Sequence, residues 1–78
     1  MSQTYISKLL DNNNRMIDFE RWSDKRIQTV EKKLKELYTS YSIYKSNIGK
    51  SAYIAIYEAS DNNRQTEVKR MTIQEFFA

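Results

Sequence analysis

Gly49-Lys50-Ser51 matches the end of a phosphate-binding loop in residue type. Such a loop needs a second glycine five positions before the one ahead of its lysine, so that successive backbone N–H groups can cradle phosphate oxygens. Tyr44 stands at that position. A strand rather than a helix is also expected after the lysine, so no nucleotide site is expected. Carboxylates fall at Asp11, Asp18, Glu20, Asp24, Glu31, Glu36, Glu58, Asp61, Glu67 and Glu75. Most stand beside Lys or Arg on faces expected to be exposed, whereas acid–base work or a metal would need them in a shared cleft. Asp61-Asn62-Asn63 is a weak cluster of oxygens that a turn explains equally well. Spacing leaves serine–lysine nucleophile arrangements open, and nothing else in the sequence supports one. The chain has no Cys and no His, which removes thiolate chemistry and the commonest general base and metal ligand. The expectation is a protein that is not an enzyme, with no catalytic residue, metal or cofactor.

Aromatic residues carry more information. Tyr5, Tyr38, Tyr41, Tyr44, Tyr53 and Tyr57 make six tyrosines in 78 residues. Three of them cluster near residues 38–44, and Tyr53 and Tyr57 share one face of a strand if residues 52–59 are extended. With Lys45, Lys50, Lys69 and Arg70 nearby in sequence, Tyr44, Tyr53 and Tyr57 could form a face that stacks unpaired nucleotides. They could equally anchor a protein partner, for which Tyr and Arg are good hot-spot residues. The blander role is a ring that closes the edge of a core while its hydroxyl stays wet. Formal net charge is +3, with Lys and Arg mixed among acids along both halves. That balance permits nucleic-acid binding without requiring it.

The elements that would position these residues are organised around one stretch, residues 22–41. Ile27, Val30, Leu34, Leu37 and Tyr41 recur at steps of three and four, with Lys25, Gln28, Lys32 and Glu36 opposite. This is an amphipathic helix. Ser23 is a suitable N-cap, Trp22 and Ile27 have staple spacing, and Asp24 suits the positive end of the helix dipole. Glu31 and Lys35 form an i,i+4 pair in the favoured orientation.

Before it, residues 4–10 and 15–21 read as a hairpin around Asp11-Asn12-Asn13-Asn14, with Ile17 and Phe19 on the inward face and Asp18 and Glu20 on the other. A short helix over residues 3–11 is the rival reading. After it, residues 42–46 read as a short strand and Asn47-Ile48-Gly49-Lys50 as a turn using the only glycine. Residues 52–59 read as a mid-sheet strand, with Ile54 and Ile56 on one side and Tyr53, Ala55 and Tyr57 on the other. Residues 60–63 read as a turn. Residues 66–71 form the last strand, with Val68 inward and Lys69 or Arg70 outward. Thr72 to Glu75 fits a capping box that starts a short terminal helix containing Ile73, Phe76 and Phe77.

The expected fold is therefore α+β, a small antiparallel sheet packed on one long helix in the order ββ-α-βββ-α, as one domain over residues 1–78. A chain of this length buries only about 60–70% of its unfolded surface, which leaves little room for a deep pocket. No signal peptide or membrane-length apolar run is evident, and cytoplasmic location is the simple expectation. If the Ile54/Ile56 side meets the helix, the Tyr53/Tyr57 side is open unless Phe76 and Phe77 cover it, and an open aromatic face would be a binding surface or a dimer seam.

In its size, its Asn/Lys/Ile-rich composition without Cys, His or Pro, its compact α+β pattern and its lack of active-site motifs, the chain resembles small accessory proteins of bacteriophages and other mobile elements. Anti-CRISPR and other anti-defence inhibitors belong to that group. The resemblance spans the whole chain and contains no diagnostic motif, so no residue roles carry over. It implies a non-enzymatic protein-binding module in a host-cell cytoplasm that blocks a host or defence complex. A small nucleic-acid-binding domain is the alternative expectation, and a self-associating homodimer a third.

Overall fold

Asp11 shapes the first hairpin. Its carboxylate Oδ1 accepts the backbone N–H groups of Asn13 (2.8 Å) and Arg15 (2.9 Å). Asn14 follows at φ 63°, in the left-handed region that Asn tolerates. A computed structural model of the chain describes residues 3–24, 26–60 and 64–78. The turn joins β1 (Gln3–Leu10) to β2 (Met16–Asp24), which pair antiparallel, so the hairpin reading holds and the helix over 3–11 does not form.

The central helix is shorter than its periodicity suggests. α1 runs Ile27–Ser40, because Trp22 and Ser23 extend β2 by pairing with Tyr5 and Thr4. Ser23 is therefore a strand residue. The N-cap is Arg26, in extended conformation and without a side-chain cap bond, and no acidic residue lies in the first turn. Asp24 belongs to β2, and Lys25 lies outside the described residues. Trp22 and Ile27 do come together, as half-buried neighbours of one core cluster rather than as a helix staple. Cross-strand pairing outweighs a cap worth about 1 kcal/mol. At the other end Tyr41 is extended and 58% exposed, not buried; Val30, Leu34 and Tyr38 make the buried stripe at steps of four.

The expected strand over 42–46 is absent. Ser42–Tyr44 form a 3₁₀ turn that runs into α2 (Lys45–Lys50). Tyr44 and Ile48 are one helical turn apart, and as a helix they sit one above the other and both pack on the core. Gly49 lies inside this helix at negative φ, so the expected glycine turn does not occur. Ser51 closes the helix, its Oγ donating to the Asn47 carbonyl at 2.6 Å.

β3 (Tyr53–Ala59) and β4 (Gln65–Thr72) complete a four-stranded antiparallel sheet in the order β2-β1-β3-β4. The element order is thus ββ-α-α-ββ-α rather than ββ-α-βββ-α. β3 is central, as its two apolar faces require. The turn expected at 60–63 falls mostly on 61–63, outside the described residues. At its flanks the Ser60 N–H donates to the Arg64 carbonyl at 2.9 Å. A register shift opposite Ile56/Tyr57 leaves Val68 43% exposed instead of inward.

One face of the sheet carries the helices. Tyr5 and Ile56 pack with Val30, and Leu9 and Ile54 pack with Leu34, Tyr38 and Phe76. α3 (Ile73–Phe77) is held by the expected capping box, Thr72 Oγ1 accepting from the Glu75 N–H and Glu75 from the Thr72 N–H, both at 3.1 Å. It lies on the same side as α1, since Phe76 is in the core cluster and Phe77 packs against it. Among the described residues no helix is long and apolar enough to cross a membrane.

Candidate functional site

Side chains alternate across a strand, so the residues between the core positions must face away from the helices. With the pairing register known, that outer face is a grid. One row across the four strands reads Arg21, Ile6, Tyr57, Glu67. The next reads Phe19, Lys8, Ala55, Arg70, and the third Met16, Leu10, Tyr53, Thr72. Ile6, Leu10 and Ala55 form a floor that is nearly inaccessible, closed over by the longer side chains around it. Phe19 stands 50% exposed and Met16 53% exposed. No helix among the described residues packs on this side.

Two cations on this face lie over its rings. The Lys8 ammonium sits 4.3 Å from the Tyr57 ring centroid, and the Arg70 guanidinium 5.5 Å from that of Tyr53. Glu67 ties the two groups together: its Oε1 accepts from Arg70 Nε (3.1 Å) and Nη2 (2.7 Å) and from the Tyr57 hydroxyl (3.2 Å). Arg70 Nη1 also donates to Asn14 Oδ1 at 2.7 Å. The Arg70 guanidinium holds the Glu67 carboxyl below the usual carboxylate range. Burial first, then the Glu67 contact, pushes the Tyr57 hydroxyl up.

Charge is sorted between the two sides of the sheet. Among strand residues with described side chains, the outer face carries Lys8, Arg21 and Arg70 against the single acid Glu67. The helix-facing side carries Asp18, Glu20 and Glu58 against Lys69. Two of those acids find partners in the helical layer: Tyr44 donates to Glu20 and Asn47 to Asp18, both at 3.4 Å. Lys69 reaches Glu31 of α1 at 2.7 Å, so Glu31 pairs across to the sheet.

The residues expected to form a site are therefore divided. Tyr53, Tyr57 and Arg70 share the outer face. Lys69 is on the opposite side of the same strand. Tyr44 packs against the core under the helical layer, its hydroxyl pushed up by burial and then by Glu20. Lys45 and Lys50 lie in exposed α2, away from the outer face. Sequence reasoning missed Lys8, Phe19 and Arg21. Phe19 was expected inward beside Ile17, yet the register shift next to Leu10 turns Ile17 into the core while Phe19 faces Lys8 outside. The alternation of β2 already placed Phe19 and Arg21 together; only the pairing shows on which side.

On the helical side, Trp22, Leu37 and Tyr41 line a shallow groove of about 310 Å³ with Lys33, Glu36 and Ser40. Ile43, just beyond it in sequence, is 78% exposed. Among the described residues no three carboxylates converge to hold a metal ion. No protein-family model, curated protein or solved structure matches the chain.

Proposed function

We propose that this chain is a non-enzymatic binding module that works through its outer sheet face, and that its ligand is an unpaired stretch of nucleic acid. The observation that carries this reading is the segregation on the sheet. Three aromatic rings and three cations share the uncovered face with one acid, while Asp18, Glu20 and Glu58 are kept to the other side. Exposed rings in a flat lattice stack bases whatever their identity, and cations at the same level meet the phosphates between them. A duplex offers such rings no free base face.

The test is a fluorescence-anisotropy titration with a labelled single strand of mixed sequence, as RNA and as DNA, with a duplex as control. The expected result is saturable binding to the single strand that weakens as salt rises. Replacing Phe19 or Tyr53 by Ala should weaken it by about 5- to 150-fold, the equivalent of about 1–3 kcal/mol for a stacked base. No binding at low salt, or equal binding to the duplex, defeats the proposal.

A second reading is favoured by a different surface. Tyr41 and Ile43 are the most exposed large apolar residues among the described residues; Tyr41 lines the Trp22/Leu37 groove and Ile43 follows it two positions on in sequence. They suit a protein contact, in keeping with an inhibitor that blocks a host or defence complex. A pull-down from bacterial lysate with and without nuclease separates the two. A partner that survives nuclease and is lost on Ile43→Asp supports the protein reading. Material lost on nuclease treatment supports the sheet face.

A further inference from the structure

We infer that Glu67 is a built-in competitor for the ligand: its carboxylate occupies the place a phosphate takes when a single strand binds. This rests on the outer face being the nucleic-acid surface. Arg70 and Arg21 are the side chains on that face best shaped for phosphate, because a planar fork can donate two parallel bonds to one oxyanion, and Arg70 is the one an acid holds. In the free protein the Nε/Nη2 edge of the Arg70 fork, the edge that grips an oxyanion in parallel, is already engaged. Nε and Nη2 both go to Glu67 Oε1, and Nη1 goes to Asn14.

The same carboxylate oxygen takes the Tyr57 hydroxyl, and Arg70 lies over Tyr53. One acid therefore holds both the phosphate-binding group and, through Arg70 and Tyr57, the two tyrosine rings in a self-satisfied arrangement. A bound strand exchanges the Arg70–carboxylate bonds for Arg70–phosphate bonds and slides a base onto the ring that Arg70 leaves. The pair is exposed, with side chains 34% and 36% accessible. An exposed pair of this kind is weak enough to be displaced and strong enough to set a threshold.

Removing the carboxylate charge should release the fork. Glu67→Gln is expected to bind the labelled single strand about two- to fivefold more tightly at low salt, the range that releasing an exposed ion pair allows. Its log-affinity against log-salt slope should steepen by about 0.7, as one more cation meets a phosphate. The control is Glu58→Gln, which removes the same charge from the helix-facing side of the neighbouring strand. It should change the affinity little. Far-UV circular dichroism confirms that each variant is folded. Tighter binding by Glu67→Gln alone supports the inference. Unchanged or weaker binding by Glu67→Gln, or an equal gain from Glu58→Gln, overturns it while leaving the binding face intact, provided the unaltered chain binds and Phe19→Ala weakens that binding. Failure of the unaltered chain to bind any single strand overturns the functional reading beneath it as well.

Discussion

Replacing Tyr38 by Phe tests the core and its electrostatics together. Tyr38 is 4% exposed, on the buried stripe of α1, and its buried hydroxyl makes no hydrogen bond of good geometry, only a weak approach to Ser7. A buried donor left unpaired costs about 1–3 kcal/mol, and Phe removes the group while keeping the ring and its edge contact with Tyr44. The gap left, on the order of 15 Å³, costs back about 0.4 kcal/mol at roughly 24 cal/mol per Å³. A net gain of about 1 kcal/mol follows, or about 4–8 °C in Tm for a chain of this length.

The pH dependence supplies a second readout. Burial, then the carboxylates of Asp18 and Glu20, push the Tyr38 hydroxyl up, with Ser7 pulling the other way. The folded chain thus holds the proton more tightly than the unfolded chain, where tyrosine ionises near pH ~10. Its contribution is full below that pH and is lost as pH rises through the raised folded value. The assay is thermal unfolding by circular dichroism from neutral pH to about pH 11, spanning the unfolded tyrosine value. Tyr38→Phe should melt higher at neutral pH and lose less stability on the alkaline side; a residual slope from Tyr44 and Tyr57, also raised, should persist. Exposed Tyr41→Phe should change neither. A lower Tm at neutral pH, or an unaltered alkaline slope, means that the hydroxyl is satisfied and refutes the reasoning.

Gly49→Ala should stabilise the chain by about 0.5–1 kcal/mol, because Gly49 is helical with open space where a Cβ would stand; a loss of stability in urea would restore the glycine turn. Trp22→Phe should cost about 1–3 kcal/mol in the same assay, since Trp22 Nε1 donates at 2.9 Å to Ser7 Oγ on the fully buried Ser7; no change would show the bond to be incidental. Thr72→Ala should cost about 0.5–2 kcal/mol by opening the α3 capping box, and an unchanged midpoint would mean that α3 is held by Phe76 alone. Asp11 and Glu75 are held below the usual range chiefly by the backbone N–H groups of Arg15 and Thr72, and Glu67 by Arg70. Their stabilising contributions are present above the unfolded carboxylate range and lost as pH falls through the depressed values, so melting in acid should steepen below pH ~4. Glu75→Gln keeps the capping geometry and should flatten that limb; an unchanged acid limb counts against the capping box as its source.

The sequence alone determined whatever rests on contacts between near neighbours. The Asp11–Asn14 turn, the Thr72–Glu75 capping box, the two-sided character of β3 and the stripe through Val30 and Leu34 are local patterns whose chemistry is complete within a few residues. The α+β class with an antiparallel sheet follows from them, whereas the sheet has four strands rather than the five expected. Tertiary structure decided the cases in which two local preferences were nearly equal. Residues 22–24 carry both a cap signal and strand propensity, and pairing with β1 made them strand. Residues 42–46 read as a short strand and 47–50 as a turn, yet Tyr44 and Ile48 stand one helical turn apart, and packing of both on the core goes with the helix.

The candidate face lay in the same gap. Alternation groups Phe19 with Arg21, and Tyr53 with Tyr57, but a strand has two sides and the pattern does not say which one water keeps. Only the packing of α1 and α3 on the Ile54/Ile56 side left those rings and their cations uncovered together. Such packing depends on residues far apart in the chain, whose pairing free energy no local window contains.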